Sequence, residues 1–277
     1  MRAALRDPQL LLALGLFLAL VVAAVAGPWV WPKDPLAIDI LASLEPPSPA
    51  HPMGTDDVGR DVLARFLRGA RISVAVGVAV TLVGGLIGTV LGLVAGFVGG
   101  WVDVVISRVM DAVLAFPPLV LAMAVTIGLG AGLVTASVGI ALTAVPWYAR
   151  LVRGEVLRFK SEQFVEAAES LGVPRLRVLF KHVAPHTRTT VLIQSAAVFG
   201  YSILSLAALG FVGLGAQIPT PEWGVMITEG LPYALTGQWW IGVFPGFGVL
   251  MGVTAANLLA DRARDLLDPY GELPAVG

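Results

Sequence analysis

Long apolar runs separated by short charged segments set the pattern of this chain. Six of them run from about Gln9 to Trp31, Ile72 to Gly99, Ala112 to Leu129, Leu133 to Ala149, Thr189 to Val212 and Trp239 to Leu259. Each is about 17 residues or longer and almost free of charge, the length at which an apolar helix crosses a bilayer core. The pattern predicts an all-α polytopic membrane protein with about six transmembrane helices. Two connections are rich in proline: Pro32 to Arg71, acidic in its first half, and Gly213 to Gln238 with Pro219, Pro221 and Pro232.

Two spans carry a pattern within the pattern. In the second, Gly84, Gly88, Gly92, Gly96 and Gly100 recur every four residues, a repeated G-x-x-x-G stripe along which another helix can approach closely. Packing within the chain is the reading preferred here, with contact to a partner subunit as the sharper one. In the fifth, Thr187, Thr190, Gln194, Tyr201 and Ser205 project within about 60° of one another at helical spacing. Interhelical hydrogen bonds, at about 0.6 kcal/mol each, would account for such a stripe. Thr190, Gln194, Tyr201 and Ser205 are also candidates to line a water-filled path.

Composition agrees with a membrane protein. Mean hydropathy is +0.84, 13% of residues are charged, and 32 are glycine. A net charge of −1 gives no support to a nucleic-acid partner. With no cysteine there is no disulfide, thiol nucleophile or cysteine metal site. Basic residues set the orientation. With a cytoplasmic N-terminus, 13 of the 18 lie inside, and Lys33, Arg60, Arg65, Arg68 and Arg71 lie outside; both termini are then cytoplasmic. Ala24-Val25-Ala26 resembles a signal-peptidase site, but the apolar run before it is long and further spans follow, so a retained first span is expected.

The most charged segment, Arg150 to Arg188, lies between two spans. Ser161 is placed to cap a helix running to Leu171, with Phe164, Val165, Ala168 and Leu171 on its apolar face and Glu162, Glu166 and Glu169 opposite. Gly172 falls where a left-handed C′ residue is needed. Pro174 opens a second short helix with Arg175, Arg177 and Lys181, and Pro185 precedes the next span. A solvated loop or a headgroup contact would fit the basic helix alone. The acidic helix and glycine turn fit protein docking better.

Glu166-Ala167-Ala168, then Gly172, then His182-Val183-Ala184-Pro185 resembles the E-A-A loop of binding-protein-dependent ABC importer permeases. The closer resemblance is to the second permease subunit of the dipeptide, oligopeptide and nickel group. It is also carried by His51-Pro52-Met53-Gly54-Thr55-Asp56-Asp57 with Gly59-Arg60-Asp61-Val62, by Gly69 to Ser73, Gly99 to Asp103, Ala115-Phe116-Pro117, Glu222-Trp223-Gly224 and Trp239-Trp240, and by Asn257 to Pro269 with Asp261, Arg264, Asp265 and Asp268. Ala184 stands where a larger apolar residue is usual, and His186 where asparagine is common. The resemblance implies a type I importer permease fold and a loop, with Glu166, Ala167, Ala168, Gly172 and Pro185, that docks on a separate ATPase subunit. It implies a second homologous permease subunit, an extracytoplasmic solute-binding protein, a short-peptide cargo and a location in the bacterial or archaeal cytoplasmic (inner) membrane. Nickel or another small solute is the alternative cargo. Residues 1–45 are expected to form an N-terminal anchor and the start of the outer connection, and 46–277 the permease core, with the coupling loop at about 150–188.

Other classes fit less well. No G-x-x-x-x-G-K-[ST] occurs, so this chain lacks the phosphate-cradling loop of an ATPase. His182 and His186 have i, i+4 spacing without the glutamate of a zinc protease, and Gly200-Tyr201-Ser202 lacks the second glycine of a nucleophile elbow. No catalytic residue, metal site or cofactor is expected. No charged residue falls deep in a span, which weighs against an ion-coupled secondary transporter. Arg108 and Asp111 are expected to pair, Trp29, Trp31, Trp239 and Trp240 to anchor the membrane interface, and Trp223 to belong to an outer gate.

Overall fold

The computed structural model describes residues 7–267. Arg2, Arg6, Asp268 and Pro269, named above, lie outside them. Ten α-helices are present among the described residues: α1 (Pro8–Val30), α2 (Val62–Val98), α3 (Gly100–Leu114), α4 (Pro118–Leu129), α5 (Leu133–Lys160), α6 (Gln163–Ser170), α7 (Arg175–Val178), α8 (Arg188–Phe211), α9 (Trp223–Ala234) and α10 (Trp240–Leu267). Local chemistry sets their ends. Asp7 caps α1 by accepting from Gln9 N at 2.9 Å, with Pro8 in the first turn. Asp61 caps α2 by accepting from Ala64 N at 2.9 Å. Gly99, at φ +71°, ends α2 in a conformation open to glycine.

Among the described residues, four helices are long and apolar enough to cross a membrane: Pro8–Val30, Val62–Val98, Arg175–Phe211 and Trp240–Asp265. The expected third span, Ala112 to Leu129, is not one helix. The Pro117-Pro118 pair ends α3, and α4 leaves it at 91°, so together they form one broken span or a re-entrant loop. The cause is the missing N–H and fixed φ of proline. α4 alone has 12 residues, about 18 Å of helix, too short for a bilayer. The expected fourth span is the first part of α5. Its apolarity is diluted by Thr135, Ser137, Thr143, Pro146 and Tyr148, and it is enclosed by α2, α4 and α8. A helix lined by protein need not be as apolar as one facing lipid.

The α2–α5 pair is the spine, and the glycine stripe makes it. A Cβ on Gly88 would lie 2.5 Å from Val145 O, on Gly92 2.6 Å from Ala149 O, and on Gly96 2.8 Å from Val156 Cβ; Gly84 stands against Ala144. Gly100 is not part of this contact. It has open space around it and φ +57°, at the turn into α3. Around the spine, α8 packs on α2, α5 and α10, and α1 packs on α2 and α10. Val76, Val80, Ile140, Tyr148, Val198 and Leu206 form one core. Phe66, Phe199, Ile203, Trp223 and Trp240 belong to a second, towards the Val62 end of α2.

Candidate functional site: the α5–α8 hairpin

Between α5 and α8 the chain turns back on itself. The Ser161 hydroxyl donates to Arg158 O at 2.8 Å, so it closes α5 rather than capping α6 as expected. α6 then runs for eight residues and ends at Gly172, φ +75°. Val173 N donates to Ala168 O at 3.1 Å, the six-to-one bond of a Schellman turn, and Val173 packs on the cluster that contains Ala168.

The second arm is not a separate helix. α7 passes into a π turn, Leu179–Val183, then a 3₁₀ turn, Ala184–Thr187, then α8. Arg175 to Phe211 is therefore one helical run of 37 residues, and Pro185 does not break it. Proline has no N–H and crowds the carbonyl four residues back; widening to π and tightening to 3₁₀ accommodates both.

One face of the hairpin is anchored. Val165, Ala168, Val178, Leu179 and Val183 are buried with Phe97, Val152 and Val156 from the ends of α2 and α5. Lys160 Nζ donates to Phe97 O at 2.7 Å, a cation on a helix C-terminal carbonyl. His186 stacks on Phe159 at 4.3 Å between ring centres, with Phe164 5.7 Å away. The histidine noted in the sequence thus ties the base of the hairpin to α5 and α6.

The other face is open. Glu162, Glu166 and Ala167 are exposed, and Pro185 is half-buried; the side chain of Glu169 lies outside the described features. Leu171 was expected on the buried face, but the turn points it away and it is 84% exposed. Leu176 and Phe180 are 69% and 64% exposed. The hairpin therefore presents an acidic flank beside three large apolar side chains, on a base fixed to two long helices. Large apolar side chains left exposed in this charged segment suit a surface that another molecule covers.

The polar stripe on α8 divides. Thr187 is buried and donates to Ala184 O at 2.9 Å, and Ser205 is buried. Tyr201 packs edge-on against Trp147 at 4.8 Å. Thr190, 3.4 Å from Glu155 Oε1, and Gln194 are half-buried at the surface, as is the Tyr201 ring, whose hydroxyl is itself buried. The stripe is not a continuous wetted face in this conformation, because its Ser205 end points into the bundle.

Three side-chain expectations are corrected. Asp111 pairs with Arg150 across to α5 at 2.6 Å, and Arg108 is exposed with no ion pair among the described residues. Trp240 is buried, donating to Thr55 O at 3.0 Å, so it is not an interface anchor; Trp31 is half-buried at the end of α1 and donates to Asp61 Oδ1 at 3.1 Å. Trp223 is fully buried against Phe66 and donates to Phe66 O at 3.1 Å, which makes it core rather than gate.

The charges of the 51–65 segment, which enter the sequence pattern only through orientation and family resemblance, form an ion-pair network. Arg60 Nε meets Asp56 at 2.6 Å and its Nη2 meets Glu229 at 3.0 Å; Arg65, 1% exposed, also pairs with Glu229. Asp61 holds Lys33 at 3.1 Å and His51 at 2.9 Å. This network ties the end of α1, the start of α2 and α9 together. The i, i+4 spacing of Asp56 and Arg60 was visible in the sequence; Glu229, more than 160 residues away, was not.

Comparison with known proteins accords with this architecture. Residues 88–270 match the model of the family described as binding-protein-dependent transport system inner membrane component. The dipeptide transport system permease protein DppC of Escherichia coli strain K12 is 44% identical over 89% of this chain and 84% of its own length. The glutathione transport system permease protein GsiD of Salmonella paratyphi A is 42% identical over 95% and 87%. The probable D,D-dipeptide transport system permease protein DdpC of E. coli strain K12 is 40% identical over 88% and 82%. An inward-facing structure of the MetNI methionine ABC transporter shares the fold, with a TM-score of 0.58, 18% identity, and coverage of 73% of this chain and 95% of that one. This chain belongs to the family of inner membrane components of binding-protein-dependent transport systems.

Proposed function

We propose that this chain is one half of the translocation path of an ATP-driven importer of short peptides. It is the non-ATPase subunit, pairing with a second homologous permease, two ATPase subunits and an extracytoplasmic binding protein. The observation that carries the coupling role is the hairpin: one face is fixed on α2 and α5, while Glu166, Leu171, Leu176 and Phe180 are left open. A peptide cargo is supported by the names of three relatives, for dipeptides, D,D-dipeptides and glutathione. A nickel cargo and an ion-coupled mechanism have no such support. Both termini and the hairpin lie in the cytoplasm in this reading, with residues 1–45 as an anchor and 46–277 as the transport core. Thr190 and Gln194 are the α8 side chains placed to meet the path, with Tyr201 and Ser205 joining only if α8 rocks away from α5.

Reconstitution tests this. In proteoliposomes, uptake of a labelled dipeptide should require ATP and all four kinds of subunit. Accumulation by this chain alone, driven by a proton or sodium gradient, would refute the reading.

A further inference from the structure

At the Val62 end of α2, three basic residues have carboxylate partners: Lys33, Arg60 and Arg65. Arg68 and Arg71 do not. Both are exposed and make no ion pair or hydrogen bond among the described residues. They stand three residues apart on one helix, so their side chains are neighbours. Both border a single groove of about 440 Å³ between α2 and the start of α5. The rest of its wall is mostly apolar, with Ile72, Ala79, Leu133 and Val134; Ser137, whose hydroxyl donates to Leu133 O, is the polar exception, and no carboxylate among the described residues lines it. Asp34 shares only the neighbouring cavity with Arg68.

The sequence fixes the depth of the groove. Arg71 is the last charge before an uncharged stretch that runs to Val102. The cationic rim thus lies at the membrane–water boundary, and the apolar wall descends from it into the hydrocarbon. Guanidinium forks match a phosphodiester in geometry and charge. An apolar trough directly beneath suits an acyl chain. A peptide or a second protein would satisfy the rim with a carboxylate but would not need the trough.

We propose that Arg68, Arg71 and the α2–α5 groove form a binding site for one anionic phospholipid. The headgroup phosphate sits on the two arginines and an acyl chain lies along Ile72, Ala79 and Val134. The site is independent of the cargo and of which leaflet this end faces.

The test uses the full-length chain purified with its partner subunits, stripped of lipid in neutral detergent. The complex is titrated with phosphatidylglycerol or with phosphatidylcholine of the same acyl chains, and bound lipid is counted by native mass spectrometry. Phosphatidylglycerol should bind about tenfold more tightly, as expected for two cations facing one anionic headgroup. The double variant Arg68→Gln/Arg71→Gln should remove that preference, and Arg68→Lys/Arg71→Lys should retain most of it. Ala79→Trp, which fills the trough and keeps both charges, should displace one lipid of either kind.

An undiminished preference in the double glutamine variant would overturn the proposal. So would displacement of the lipid by millimolar inorganic phosphate, which would mark a site for a bare anion. Displacement by a dipeptide but not by its C-terminal amide would assign the groove to cargo instead. Loss of the second permease from the double variant, with lipid binding unchanged, would assign it to the subunit interface.

Discussion

Replacing Gly92 with leucine tests the α2–α5 spine directly. A Cβ at this position would lie 2.6 Å from Ala149 O, 2.8 Å from Val152 Cβ and 3.1 Å from Arg153 N. Two of these three atoms are backbone, so no rotamer change relieves the clash. Ordinary contact begins near 3.4 Å, so the helices must part by roughly 0.8 Å for the Cβ alone. A gap of that size forfeits a quarter to a half of each dispersion contact along the seam, including those at Gly88 and Gly96. Overpacking adds about 1–3 kcal/mol. Helix propensity works the other way, since leucine is better than glycine by roughly 0.8 kcal/mol. Overpacking less propensity leaves roughly 0.2–2.2 kcal/mol and the lost dispersion adds to it, a destabilisation of about 2 kcal/mol, or roughly 4–8 °C in Tm for a chain of this size. Gly15→Leu is the matched control, because its Cβ meets nothing within 4 Å. Thermal unfolding of the detergent-solubilised complex, followed by tryptophan fluorescence, reads both. If Gly92→Leu melts within a degree of Gly15→Leu, the seam is not closely packed and the reasoning fails.

Four other outcomes are expected. Because the chain has no cysteine, Leu41→Cys, at a site 97% exposed, should react with an impermeant thiol reagent on intact cells and Leu171→Cys only after permeabilisation; the reverse pattern would invert the orientation. Gly172→Val forces a β-branched residue into φ +75° at a cost of about 1–2 kcal/mol, and with Glu166→Lys it should lower ATPase co-purification while leaving membrane insertion intact; normal ATPase recovery in both would show that the hairpin is not the docking element. Glu229→Gln weakens the pairing of two arginines, one of them fully buried, and should cost about 3 kcal/mol or more, visible as a Tm loss that Glu229→Asp partly restores. Burial pushes the Glu222 carboxyl up to about 7, against three backbone N–H groups that pull it down; the folded state then holds this proton more tightly than the unfolded chain, so stability should fall as pH rises from about 4.5 to about 7, and Tm measured across that range should lose this slope in Glu222→Gln.

The parts of the fold that depend on local pattern were readable in the sequence. Gly172 lies at its left-handed turn, and four of the five stripe glycines lie on the α2–α5 seam. These features need only residues a few positions apart on a known helix. What escaped depends on distant partners or on backbone irregularity. The 91° bend at Pro117-Pro118 was hidden in an unbroken apolar run. Pro185 reads as a stop, yet the helix passes it through a π turn because Val178, Leu179 and Val183 hold the segment on α5. Tertiary packing outweighs the intrinsic cost of proline there. Trp240 looks like an interface anchor and Trp223 like a gate residue until the backbone carbonyls of Thr55 and Phe66 are brought to their indole N–H groups. The direction Leu171 points is set by the Schellman turn, which a helical wheel does not represent.

The uninterrupted run from Arg175 to Phe211 has a mechanical consequence. Its 37 residues, at about 1.5 Å each, make a rod roughly 55 Å long, one end in the hairpin and the other at the far side of the bundle. A continuous helical run of this length can act as a lever. Its fulcrum is the crossing with α2 and α5 near Val198 and Tyr148, and a push on Leu176 and Phe180 must swing Leu209 in the opposite sense. The π turn Leu179–Val183 and the 3₁₀ turn Ala184–Thr187 are where such a lever could yield, so in the proposed coupling role their stiffness sets how much of a stroke at the hairpin reaches the far end of the run. Spin labels at Leu176→Cys and Phe211→Cys would report this as paired displacements of opposite direction on ATP binding; movement of the first without the second would mean that the stroke is absorbed between Leu179 and Thr187.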